Sequence, residues 1–111
     1  MQLKSVVESD DQILIAALLE GERPLDCHVR EGLPVPNEET WKQMITKIQI
    51  IMSMVKNTKG YLGKFEQVCV KHELGVVYLF PAGLQKVLCI VAKPEVDNKI
   101  STAAKQFLLK M

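Results

Sequence analysis

The run Val87-Leu88-Cys89-Ile90-Val91-Ala92, closed by Lys93-Pro94, constrains this chain more than any other feature. Unbroken apolar sequence of that length, ended by a proline, reads as a strand. Successive residues of a strand face opposite sides of its sheet. A strand with no polar side therefore needs cover on both faces. The chain has to supply a helical layer on each side of one sheet.

The rest of the sequence divides accordingly. Residues 2–8 make about two helical turns with Leu3, Val6 and Val7 on one face, and Ser9-Asp10-Asp11 breaks them. Ile13-Leu14-Ile15-Ala16-Ala17-Leu18-Leu19 is a second apolar run. Ala and Leu favour helix, but Gly21 and Pro24 follow closely and the run is short, so it reads as a buried strand. Residues 20–23 turn it into a more polar strand over 25–30, suited to a sheet edge. A loop follows from Gly32 to Pro36.

Asn37 then stands as a helix N-cap, with Glu38 and Glu39 in the first turn, where carboxylates suit the positive helix end. The helix is expected to run to about residue 57, with Gly60 and Gly63 marking its exit. A third strand over 64–74 carries interleaved polar residues. Gly75 turns it into 76–80, and Pro81-Ala82-Gly83 turns that into 86–92, an antiparallel meander. Asp97 or Asn98 caps a last helix whose stripe is Ile100, Ala103, Ala104, Phe107, Leu108 and Met111.

The expected class is α+β: one α/β/α sandwich over residues 1–111, built on a five-stranded, mostly antiparallel sheet. The order is helix-strand-strand-helix-strand-strand-strand-helix, with a short first helix. At 111 residues this is one domain. Net charge is +1 and aromatics are 5%, with basic residues scattered, which argues against a nucleic-acid binder. No run is long enough to span a membrane, and neither a secretory leader nor a lipidation motif is visible. The three cysteines are odd in number and none is paired as C-x-x-C, which points to a reducing cytoplasm. Any membrane attachment is expected through a partner.

The long helix has two faces. At 100 degrees per residue, Trp41, Met44, Ile45, Ile48, Ile51, Met52 and Val55 share one arc and face the sheet. Ile50 and Met54 point almost the opposite way, on a stripe with Gln43 and Lys47, and Tyr61 lies just beyond. That spacing suits a helix–helix seam, although single exposed apolar residues are also ordinary. The third strand offers a second contact. Phe65, Val68, Cys69 and Val70, with Gln67 among them, alternate with polar residues. At a sheet edge, their backbone groups can pair with another copy. The expected interface is thus Gln43, Lys47, Ile50, Met54, Tyr61, Phe65, Gln67, Val68, Cys69 and Val70.

At this point the chain resembles the roadblock family, the fold of the dynein roadblock light chain. The residues that carry the resemblance are Tyr61-Leu62-Gly63-Lys64-Phe65-Glu66-Gln67-Val68, then Gly75-Val76-Val77-Tyr78-Leu79-Phe80-Pro81-Ala82-Gly83, then Val87 to Ala92. The order and spacing of elements carry most of the weight. The resemblance implies a homodimer or a heterodimer with a related roadblock chain, formed through the long helix and third strand. It implies binding of a Ras-like small GTPase, or else a structural place in a motor or membrane scaffold, with no cofactor. The first helix is shorter than is usual there. That leads to the expectation of a thinly covered sheet face, completed by a partner helix or a shifted last helix. On that expectation residues 1–8 are dispensable for stability.

Catalytic chemistry finds little support. Cys27-His28 and Cys69-x-x-His72 offer zinc-type ligands, but residues 69 and 72 of a strand point to opposite faces. A Cys–His nucleophile pair fares no better. Gly60-x-x-Gly63 lacks the lysine and the hydroxyl of a phosphate loop and follows a helix instead of preceding one.

Overall fold

The structure, a computed structural model, describes residues 3–33, 37–56, 59–83, 85–94 and 99–110. The elements run α1 (Leu3–Glu8), β1 (Ile13–Glu20), β2 (Arg23–Val29), α2 (Glu38–Lys56), α3 (Lys59–Leu62), β3 (Val68–Lys71), β4 (Val76–Pro81), β5 (Lys86–Ala92) and α4 (Lys99–Leu109). The strands form one sheet in the order β2-β1-β5-β4-β3. Every described pairing in it is antiparallel. The apolar β5 lies at the centre, as its composition requires.

Alternate residues of the central strands feed two cores. Leu88, Ile90 and Ala92 pack with Phe80 beneath Leu3, Val6, Val7, Ala104 and Phe107, from α1 and α4. Val87 and Cys89 pack with Ala17, Leu19 and Leu79 beneath Ile45, Ile48 and Met52 of α2. Ile13 and Ala16 share a face although they are three apart. A register shift between Ile13 and Ile15 explains this, because a bulge adds one residue to the count. The run that wavered between helix and strand is thus a strand with one irregular step.

α1 is only 6 residues long, and such a helix does not hold in water by itself. Burial of its inner face and one arginine keep it in place. Arg30 donates through Nε to the carbonyl of Ile13 at 2.8 Å, and through Nη2 to Asp10 at 2.7 Å and to Val7. Val7 belongs to the last helical turn, whose carbonyls lack helical partners and carry negative partial charge. Arg30→Met is expected to lower stability by about 2–4 kcal/mol, since hydrogen bonds from a charged donor each contribute more than neutral ones. A urea midpoint checks this. Arg30→Lys should recover only part of the loss, because a lysine cannot reach three carbonyls in one fork.

The expectation of a thinly covered face is corrected here. Leu3, Val6 and Val7 are no more than 2% exposed within the single chain. α1 is short but completes the layer together with α4, so no partner helix is needed there.

α2 begins as expected. The Asn37 side chain accepts the Thr40 amide at 2.8 Å, and the Asn37 carbonyl accepts the Trp41 amide at 3.0 Å. The exit differs from the sequence reading. Gly60 lies inside the extra turn α3, and only Gly63, at φ 79°, ends the helical path. β3 is also shorter than the expected span of 64–74. Val68 pairs with Leu79, so continuing that register brings residue 66 opposite Pro81, which has no N–H to give. At the other end the His72 amide closes a tight turn onto the Gly75 carbonyl at 2.7 Å. A Cβ on Gly75 would meet the Ala92 carbonyl at 3.2 Å, so a larger residue would crowd the neighbouring backbone at this turn. In α4, Ala104 and Phe107 are buried and Ala103 and Leu108 are half-buried. The cap expected at Asp97 or Asn98 lies outside the described residues, as does Met111.

Candidate partner interface

α2 divides as its periodicity predicts. Ile45, Ile48 and Met52 are buried against the sheet, and Trp41, Met44, Ile51 and Val55 are half-buried around them. On the far side Ile50 is 56% exposed and Met54 65%. Gln43 and Lys47 share that exposed side. In α3, Tyr61 is 89% and Leu62 71% exposed. Ile50 and Met54 thus share the exposed side of α2, and Tyr61 and Leu62 stand in water on α3. Scattered exposed apolar residues are ordinary; neighbouring ones on one helix side, as Ile50 and Met54 are, suit an interaction surface. Ile50 and Met54 also form one wall of a shallow groove with Glu22, Thr46, Gln49 and Ser53. Gln49 holds that side in place by donating to the Gly21 carbonyl in the β1–β2 turn. Leu62 is exposed beside Tyr61, and the stripe expected from the sequence does not include it.

The sheet has two edge strands, and they are not equivalent. In β2 the Arg30 amide donates to the Leu14 carbonyl at 2.8 Å. Antiparallel ladders alternate bonded and non-bonded pairs. With Ala16 opposite His28 and Ala17 opposite Cys27, the amide of Cys27 therefore points outward. It is already taken, since the Asp26 carboxylate accepts it at 2.9 Å. Pro24 offers no amide, and a register shift between Leu18 and Leu19 bends the strand. Charge, proline and bulge are the recognised ways of closing an edge.

β3 is less protected: it has no proline and no register shift, and its charge is Lys71 at its C-terminal end. The same phase argument starts from the His72 amide on the Gly75 carbonyl. Val70 opposite Val77 and Val68 opposite Leu79 then face inward, and the backbone groups of Cys69 and Lys71 point away from the sheet. The expected edge residues are brought together here. Val68 and Val70 are half-buried on the α2 side, with Phe65 and Val68 packed on the same core as Met52. Gln67 and Cys69 are exposed. Lys71 joins them as an edge residue that sequence pattern did not single out; only the hydrogen-bond phase reveals it.

Cys27 and Cys89 are poorly placed for thiol chemistry. Cys89 is buried in the core, and burial pushes its thiol up to about 12, with Cys27 adding to the shift. Cys27 is also raised, first by partial burial and then by the neighbouring Asp26 carboxylate. Both oppose thiolate formation, on which reactivity depends. Cys27 and Cys89 lie on either side of Ala17 in successive strands. Two strand spacings separate them by about 9–10 Å, beyond disulfide reach. Among the described residues no three His, Cys, Asp or Glu side chains converge as a metal site, and no helix is long and apolar enough to cross a membrane.

No protein-family model matches the sequence, and no curated protein matches it. Solved structures do match its shape. The chain superimposes on a Roadblock/LC7 domain from Streptomyces avermitilis with a TM-score of 0.79 at 15% identity, covering 96% of this chain and 88% of that one. It superimposes on MglB in a tetrameric arrangement with a TM-score of 0.80 at 16% identity, covering 96% and 79%. MglC from Myxococcus xanthus gives 0.62 at 10% identity, covering 97% and 94%. The fold is the roadblock fold, as the order of elements led one to expect.

Proposed function

From the premise of a roadblock fold with a free apolar stripe and one open sheet edge, we propose a non-catalytic dimeric platform that binds a Ras-like small GTPase. The single observation that carries this is the exposed apolar pair Ile50 and Met54 on α2, on the same chain that leaves β3 at a sheet edge. Burying two such side chains contributes roughly 1.5–3 kcal/mol each. Strand pairing at β3 supplies direction and register. The dimer forms with a second copy or with a related roadblock chain. The GTPase reading comes from the roadblock resemblance, since proteins of that family serve such GTPases as platforms or regulators. It is consistent with a chain whose described residues hold no phosphate loop and no metal cluster. The platform acts in the cytoplasm, reaching membranes only through a partner.

The test is affinity capture with the purified chain in the presence of GDP or of a non-hydrolysable GTP analogue. The expected result is a Ras-like GTPase retained in one nucleotide state and rebound when both proteins are pure. The same retained set in both states, with no GTPase in it, would replace this reading with a structural subunit of a motor or membrane scaffold.

A further inference from the structure

The open edge carries enough information to fix how it pairs, given that the chain self-associates as proposed above. We propose that a second copy adds its β3 antiparallel to this one in the register that sets Cys69 opposite the partner's Cys69. The backbone restricts the choice first. Cys69 and Lys71 point their N–H and C=O groups outward, and a two-fold pairing must match outward residues with outward residues. The sum of paired residue numbers is then even, and the two-fold axis passes through 68, 69 or 70.

Side chains decide among these three. An axis at 68 sets Lys64 opposite the partner's His72 and Glu66 opposite the partner's Val70. Its one apolar match is Val68 with the partner's Val68, and directly opposed residues that do not match weaken a ladder. An axis at 70 sets Val68 opposite the partner's His72 and Cys69 opposite the partner's Lys71. An axis at 69 sets Val68 opposite the partner's Val70, joining the half-buried apolar residues on the α2 side of both copies. It sets Glu66 opposite the partner's His72, an acceptor facing a donor, and Gln67 opposite the partner's Lys71. Each of these pairs occurs twice by symmetry. Across β3 and its immediate flanks, residues 66–72, only the axis at 69 leaves no apolar side chain facing a charged or imidazole one.

At that axis the two Cys69 residues form a hydrogen-bonded pair with Cα atoms about 5.5 Å apart, inside the range a disulfide spans. Both side chains point to the sheet face opposite α2, where Cys69 is exposed in the single chain. The register therefore predicts a symmetric thiol pair that an oxidant can join. Diamide serves as the probe. It takes two electrons and two protons from the two thiols and becomes a hydrazine as the S–S bond forms.

The experiment uses the full chain carrying Cys27→Ser, with Cys89 retained in the core. Sedimentation velocity under reducing conditions first establishes the oligomeric state, and brief diamide treatment follows. Conversion of most of the chain to covalent dimer through Cys69 is expected. Cys69→Ser with Cys27 retained should give only trace dimer, although Cys27 is exposed as well. Mixing Q67C/C69S with K71C/C69S should yield a crosslinked heterodimer. Crosslinking of native Cys69 to Q67C/C69S would move the axis to 68, and to K71C/C69S would move it to 70; either overturns the proposal. A dimer that crosslinks in none of these combinations would remove β3 from the interface while leaving the dimer. A monomer under reducing conditions would overturn the dimeric platform itself.

Discussion

Replacing Ile50 and Met54 together by glutamate is expected to leave a folded monomer. Both side chains already stand in water in the single chain, so the fold loses nothing by the change. Glutamate is also at least as good a helix former as isoleucine. In a two-fold seam the same substitutions act on both copies. They remove four apolar side chains, roughly 6–12 kcal/mol of burial before association costs are subtracted. They also place four carboxylates at the contact, beside whatever charge Lys47 offers. Every 1.4 kcal/mol is about a tenfold change in affinity, so no dimer should survive at micromolar concentration. Sedimentation velocity and a thermal melt read the two halves of the prediction separately. An unchanged dimer would place the seam elsewhere on the molecule.

Removing residues 1–8 is expected to be the most damaging change to the fold. Three side chains leave the core at once: Leu3, Val6 and Val7. Their burial is worth roughly 5–9 kcal/mol together, against a total stability of about 5–15 kcal/mol for a typical domain. Arg30 also loses its acceptor on Val7. The truncated chain should show no cooperative melt, or one lower by at least about 20 °C. Circular dichroism measures this directly. A near-native transition would mean that the α1 side of the sheet is closed by something other than α1.

That second prediction reverses what the sequence led one to expect, and the reason is instructive. Length alone made the first helix look dispensable. Its three apolar positions were legible, but how fully they are enclosed depends on α4 and on Arg30, 23 residues away from Val7. The central strands, by contrast, could be read directly. A run such as Val87 to Ala92 has no polar side to place in water, so its position in the sheet follows from composition. The N-cap at Asn37 was readable for a similar reason, since one side chain and three residues suffice to make it. The exposed stripe on α2 followed from helical periodicity. The ends of β3 did not, because they are set by Pro81 on a neighbouring strand and by the turn from His72 to Gly75. Nor did the difference between the two edges. Which amides point outward depends on the phase of the ladder, and single-sequence patterns carry no phase.

That difference bears on how assembly stops. In the language of polymer chemistry, a unit with two reactive ends grows without limit, and a unit with one has a valence of one. The carboxylate of Asp26 on the Cys27 amide, with Pro24 and the bulge beside it, makes one end of this sheet the less reactive. On the pairing proposed above, edge growth through β3 then stops after a single event. The product is a pair of chains and not a fibre, and residues far from the contact favour that stoichiometry.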